Sequence, residues 1–439
     1  MTRWWRMPAG LLALAGGVFG APQRNILMVV TDDQGLDAGC YGNPVLKTPH
    51  LDRLAAEGVR FTQAFCTTAS CSASRSVILT GLHNHANGQY GLQHAHHNFH
   101  TLRSVRSLPV LLREAGYRTC SVGKFHVQPE EVYHFDAYAR DAEAFLRARD
   151  DRPFFLYFCT SEPHRTGRGF GEGGPVRYDP QQVPVPPFLP DRPEVREELA
   201  GYYQAISRAD AKLGRLLAVL KDAGHWDDTL VIFLSDNGMP FPGAKTTVYE
   251  PGIHLPLVVR SPEQKRRGGV CNAMVTWADL TPTLLAYAGA QPPAYPLHGR
   301  SFLEVLDQSD PPGWDEIHAS HTFHEITMYY PMRAIRTRRY KYILNLAHGL
   351  PYPFASDLYG SLTWQGILRR KDTMMGGRAV QAFLHRPRHE LYDLETDPQE
   401  RVNLADRPEH AKTLAELQAR LRAWQEKTRD PWVVKYTHE

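Results

Sequence analysis

Between residue 25 and about residue 306 the chain alternates two hydrophobic periods. Short runs of branched and aromatic residues at 25–31, 118–122, 153–159 and 229–235 read as strands buried on both faces. Between them, apolar positions recur every three to four residues over 49–57, 107–115 and 197–223, the spacing of helices with one buried stripe. This alternation predicts an α/β fold: a large, mostly parallel sheet flanked by helices, with ligands bound at the loops that leave the carboxyl ends of the strands. Residues 167–193 are rich in Gly and Pro and read as an irregular surface loop. Beyond 314 the pattern changes to short strands at 315–320, 332–336, 339–343 and 390–393 and a terminal helix at 411–424. The expectation is a larger domain over 22–314 and a smaller C-terminal α+β domain with an antiparallel sheet over 315–439.

Composition narrows the class without naming a function. A chain of 439 residues, 42% hydrophobic and 22% charged, can fill two cores. Fifty basic against 47 acidic residues leave a net charge of +3, with no basic run, which argues against nucleic acid as a partner. Arg3 and Arg6 precede an apolar stretch at 11–21 that ends in small residues, so 1–21 reads as a secretory signal, with an uncleaved anchor as the competing reading. No later segment reaches bilayer length, and the expectation is an exported protein, periplasmic or secreted, or lysosomal in a eukaryote, without a membrane span. Cys40, Cys66, Cys71, Cys120, Cys159 and Cys271 show neither a zinc spacing nor a disulfide framework, and leave one or two disulfides open.

The candidate chemistry gathers at the predicted strand ends. Asp32-Asp33 follows the first strand, and Asp236-Asn237-Gly238 follows the strand at 229–235. Carboxylates with a neutral amide suit a hard divalent cation, Ca2+ or Mg2+, better than zinc. Between them lie Cys71-Ser-Ala-Ser-Arg75 with Leu79-Thr80-Gly81 after it, and two basic segments, Gly123-Lys124-Phe125-His126 and Glu162-Pro163-His164-Arg165, with Lys245 following the second acidic pair. Taken singly, each has an ordinary structural reading: a small-residue turn, an Asx turn, a surface lysine, a packed histidine. The dense histidines His83, His85, His94, His96, His97 and His100 fit no regular zinc spacing and read as a loop at the rim of a cleft.

Taken together and in this order, the segments resemble the type I sulfatases, whose signature has the form Cys-x-(Pro/Ala)-x-Arg-x-x-x-Leu-Thr-Gly. The resemblance extends through 277–283, 299–301 and 391–404, and implies the alkaline-phosphatase-like sulfatase fold. It implies that a formylglycine-generating maturation enzyme oxidises Cys71 to formylglycine, whose hydrate attacks sulfur, and that Asp32, Asp33, Asp236, Asn237 and residue 71 hold Ca2+. By the same resemblance Arg75 stabilises the ionised nucleophile, Lys124 and Lys245 clamp the sulfate, His164 protonates the leaving group and His126 is the base.

Within the family, 94–99, 130–133, 235–242, 324–333 and 429–433 resemble the sulfamidase subgroup, the N-sulfoglucosamine sulfohydrolases. That finer match implies hydrolysis of the N-linked sulfate of glucosamine in heparan sulfate or heparin, with Glu162, His97, His324, Glu325 and Arg333 near the sugar. The implied partners are a sulfated glucosamine-containing saccharide and the maturation enzyme, and a homodimer is left open. Two departures stand out: Ala73 where sulfamidases have proline, and Glu162 where they have a shorter acid. The alternatives are an O-sulfatase for a sugar such as 6-O-sulfated N-acetylglucosamine, a phosphoesterase of the same superfamily, against which the cysteine motif counts, and a non-catalytic glycan-binding protein in which Cys71 stays a thiol.

Overall fold

The computed structural model describes residues 24–167 and 169–438, and the expected signal segment 1–21 lies outside them. Strands β1 (Asn25–Thr31), β2 (Val59–Phe65), β3 (Arg118–Gly123), β4 (Ala137–Ala139), β5 (Phe154–Cys159), β6 (Thr229–Ser235), β7 (Leu257–Arg260) and β8 (Gly269–Thr276) form one sheet. Their order is β4-β3-β5-β1-β6-β7-β2-β8. Every neighbouring pair is parallel except those made by β7 with β6 and β2. β1 and β6 are buried at each residue, as their unbroken apolar runs require once helices cover both faces of the sheet. β1 lies between β5 and β6. Chain connections diverge there, and the carboxyl ends of β1, β2, β3, β5 and β6 open along one edge.

A second, antiparallel sheet has the order β14-β11-β10-β9, from β9 (Glu316–His321), β10 (Met332–Thr337), β11 (Tyr340–Asn345) and β14 (His389–Asp393), with a hairpin β12 (Met374–Met375) and β13 (Arg378–Ala379) apart from it. Leu417 and Leu421 of helix Ala411–Lys427 pack on its Ile335, Tyr342 and Leu391. The helix expected from 197 begins earlier, at Pro193, because proline at the first helical position loses no hydrogen bond there.

The sheets share one apolar core: Phe61 and Trp277 belong to the same cluster as Tyr330, Met332 and Ile343. A polar seam reinforces it, since the buried Lys341 ammonium sits 2.8 Å from both Glu250 and Glu400. All six cysteines are free, so the disulfides left open by the sequence are not formed.

One expectation is corrected here. Arg333, proposed beside the sugar, is fully buried in β10 and donates to the Asp430 carboxylate at 2.6 and 2.9 Å and to the His321 carbonyl at 3.0 Å. It ties the chain after the last long helix to the small sheet, and its guanidinium has no reach left for a ligand. Removing Asp430 alone (Asp430→Ala) strands that cation in the core, and a loss of about 3–5 kcal/mol in urea unfolding is expected, whereas Arg333→Met with Asp430→Leu loses far less. Burial opposes ionisation of Asp430, but Arg333 outweighs it and holds the carboxyl below its ordinary range. The pair's contribution is therefore complete above about pH 4 and is lost as pH falls through the folded-state value; Asp430→Asn removes this slope from a stability-versus-pH curve.

Candidate active site

Five strand ends deliver the site. β1 runs into Asp32-Asp33, β3 into Lys124 and His126, β5 into Glu162 and His164, and β6 into Asp236-Asn237, while the loop after β2 enters helix Cys71–Thr80. All ten residues of that helix are buried, and its amino terminus, the positive end of the peptide dipoles, lies at residue 71. Ser70 does not cap it; the hydroxyl pairs with His324 Nδ1 at 2.9 Å instead. The glycine of the Leu-Thr-Gly run has a local cause: Gly81 stops the helix at φ 66°, and a Cβ there would lie 3.1 Å from that of Thr281. Gly123 likewise has φ 82°, and a Cβ would meet the Cys159 carbonyl at 1.9 Å, so only glycine lets the chain turn from β3 into Lys124 so close to β5.

Three carboxylates, Asp32, Asp33 and Asp236, are wholly buried in this edge. Arg75 Nε donates to Asp236 at 2.9 Å and Nη1 to the Lys124 carbonyl at 2.8 Å. Lys124 donates to Asp32 at 2.6 Å, and Lys245 to Asp33 and Asp357 at 2.9 Å each. Asn237 Nδ2 donates to Asp33 Oδ1 at 2.7 Å, and the Cys71 thiol lies 3.6 Å from the same oxygen. Asp33 and His126 both hold left-handed backbone, at φ 68° and 60°, a cost typical of sites fixed by their surroundings.

The electrostatics are unbalanced in a telling way. Burial raises Asp32, but Lys124, His164 and Arg75 together hold it well below the ordinary carboxylate range. Asp236 is pushed up to about 7 by burial, with Arg75 opposing and Asp32 and Asp33 adding to it. Asp32 Oδ1 and Arg75 Nη2 stand 3.6 Å apart, too far for a hydrogen bond, and these atoms and Asn237 Oδ1 are buried without partners. Oxygen atoms without donors beside a carboxyl group whose ionisation burial opposes fit a hard divalent cation, and oxygen atoms of Asp32 and Asp236 lie within 4.8 Å of the Cys71 sulfur and of one another.

Above this floor is a cleft of about 380 Å3, lined among others by Cys71, Lys124, His126, His164 and Lys245. Burial, then Lys245, lowers the His164 imidazole, and burial, then Lys124, lowers that of His126 further. His164 Nε2 is 3.5 Å from the Lys245 ammonium, and His126 Nε2 is 2.5 Å from His94 Nδ1. Of the residues expected near the sugar, His97, His324 and Glu325 line the cleft. Glu162 does not; its carboxylate is taken by Arg208 at 2.7 Å and Lys212 at 3.0 Å. Arg75, expected at the nucleophile, spends Nε on Asp236 and Nη1 on the Lys124 carbonyl. Asp357 escaped the sequence reading: it lies in the short helix Ser356–Tyr359 after an irregular stretch, with no motif to mark it.

Comparison with known proteins places the chain in a family. The chain matches the family described as Sulfatase over residues 24–136 and 129–290, and the family N-sulphoglucosamine sulphohydrolase, C-terminal, over 244–349. It is 41% identical to the human N-sulphoglucosamine sulphohydrolase over 96% of this chain and 94% of that one, and 30% identical to an ulvan-active sulfatase of Formosa agariphila over 91% and 79%. Among solved structures, a protein in complex with its substrate D-glucosamine-2-N,6-O-disulfate superposes with a TM-score of 0.68 at 20% identity, covering 93% of this chain and 98% of that one. A phosphonate monoester hydrolase of Agrobacterium radiobacter does so with a TM-score of 0.69 at 20% identity, covering 92% and 96%. At that identity the structural likeness speaks for the fold, which is that of the sulfatases. The matched family and the long, close alignment establish that this chain belongs to the sulfatase family.

Proposed function

We propose that the chain hydrolyses the N-linked sulfate of glucosamine residues in heparan-type saccharides. The observation that carries this reading is the alignment at 41% identity, over nearly all of both chains, with a protein named N-sulphoglucosamine sulphohydrolase. The cleft supports it: cations stand on its floor where a sulfate would bind, and imidazoles and carboxylates on its walls where a sugar would.

Asp32, Asp33, Asp236 and Asn237, with residue 71, would hold Ca2+, and the bound ion would supply positive charge to offset the anionic substrate and the ionised nucleophile. Residue 71, oxidised to formylglycine by a maturation enzyme, would supply the nucleophilic hydroxyl. Lys124 and Lys245, which line the cleft, would neutralise the sulfate oxygens. His164 protonates the departing nitrogen, which leaves poorly as an amide anion, and its lowered basicity makes its cationic form a stronger acid. His126 is the base, and its contact with His94 offers a route for the proton toward the rim. Asp357 accepts a second hydrogen bond from Lys245 beside the one to Asp33. In this reading segment 22–314 carries the chemistry and 315–439 supplies rim residues His324, Glu325 and Asp357. Segment 1–21 directs export.

Sulfate release by matured protein is expected to favour N-sulfoglucosamine over N-acetylglucosamine-6-sulfate by at least about tenfold in kcat/KM, or ~1.4 kcal/mol. A preference for the ester would replace this substrate by an O-sulfated sugar. His164→Ala is expected to lower N-desulfation by about 10²–10⁴-fold while costing much less with an activated aryl sulfate, whose leaving group needs no proton. Equal losses on both substrates would remove the acid role from His164.

A further inference from the structure

A second cavity, of about 560 Å3, lies at the far end of helix Cys71–Thr80 and shares no lining residue with the cleft. The ten-residue helix alone sets it about 15 Å from residue 71. Its walls come from the turn at 297–300, from β8 and β9, and from the last turns of helix Ala411–Lys427.

The charges on these walls do not cancel. Arg300, Arg420 and Lys427 face two carboxylates, Asp279 and Glu316, both already engaged. Asp279 accepts from the backbone N–H of Thr276 and of Arg300 at 2.7 and 2.8 Å, and Glu316 pairs with Arg420. Among the described residues the Arg300 guanidinium has only the Gly313 carbonyl as hydrogen-bond acceptor, and Lys427 pairs with no carboxylate. Three imidazoles, His83, His298 and His318, share the lining. His83 is 4% exposed and its Nδ1 has no hydrogen-bond partner, whereas the Nε2 of His318 stands 3.5 Å from the Glu316 carboxylate. Unmatched cations beside neutral imidazoles form a surface rich in donors, which selects an anion over a neutral ligand.

The aromatic groups narrow the class. Trp314 is buried with Arg300 lying 3.7 Å over its ring, and Trp424 is stacked on His318 at 4.8 Å. These occupied faces disfavour the stacking of a nucleotide base, and the volume suits one or two sugar units. We propose that this cavity is a second binding site for an anionic saccharide bearing sulfate or carboxylate groups, with Arg300 and Lys427 as its charges and His83, His298 and His318 as its neutral partners. The choice of a saccharide rests on the sulfated-sugar reading of the cleft; the anion preference rests on the cavity alone.

The test is equilibrium dialysis of an N-sulfated heparin tetrasaccharide against the full chain carrying Cys71→Ala, so that nothing is turned over. Two sites per chain are expected. Adding Lys427→Glu should weaken one of them at least about tenfold, and Lys427→Met less, since the effect is one of charge. In protein with Cys71 intact and matured, Lys427→Glu should leave sulfate release from a monosaccharide within twofold of the parent. A single site in both proteins, a second site indifferent to Lys427, or binding of adenosine diphosphate in place of the saccharide would overturn the proposal. So would a change in sedimentation with Lys427→Glu, which would make the cavity a contact between copies of the chain. Because dialysis needs no turnover, an O-sulfate preference at the cleft would leave this result readable.

Discussion

The buried negative charge at the carboxyl ends of β1 and β6 governs the rest of this structure. Asp32, Asp33 and Asp236 have no exposure to solvent, and an isolated carboxylate in that setting costs several kcal/mol. The chain answers with Arg75 from a buried helix, Lys124 from the end of β3 and Lys245 from the loop after β6, each within hydrogen-bond distance of a carboxylate. Much local geometry serves this convergence: the glycine turns at 81 and 123 and the left-handed backbone at Asp33 and His126. Even so, three cations do not suffice, since Asp236 remains pushed up to about 7 and two side-chain oxygens lack donors. The remaining deficit is of the kind a divalent cation removes.

The same cluster explains why the small sheet belongs to the site. Lys245 spans from Asp33 to Asp357, so its orientation depends on a segment beyond β11 in the chain. Glu325 accepts from the N–H and hydroxyl of Ser356 at 2.8 and 2.6 Å, which joins the two rim segments to each other. The shared core and the Lys341 seam join the small sheet to the large one, and Met328, Ala355 and Leu358 pack together beneath the rim.

Much of this was legible in the sequence because it is local. Apolar runs ending in acids mark strands that bring carboxylates to a sheet edge, whereas the run from Cys71, read singly as a small-residue turn, forms a helix that Gly81 stops. What escaped was decided by distant partners. The role of Arg333 cannot be read without Asp430, 97 residues further on, and Glu162 is claimed by Arg208 and Lys212 of a helix the sequence shows only as a stripe. β7, four residues long and antiparallel, is too short for a period to be recognised. Arg75 was expected at the nucleophile, but its geometry serves the carboxylates, because a guanidinium at zero exposure must first satisfy the charges around it.

The central claim is that the carboxylate cluster is a cation site, and calcium titration followed by calorimetry and thermal unfolding tests it most directly. The account predicts saturable binding of one Ca2+ per chain and a melting temperature that rises with calcium, with both effects lost in Asp236→Asn. No binding, or binding that Asp236→Asn leaves unchanged, would contradict it and would leave Arg75, Lys124 and Lys245 as the whole of the charge balance.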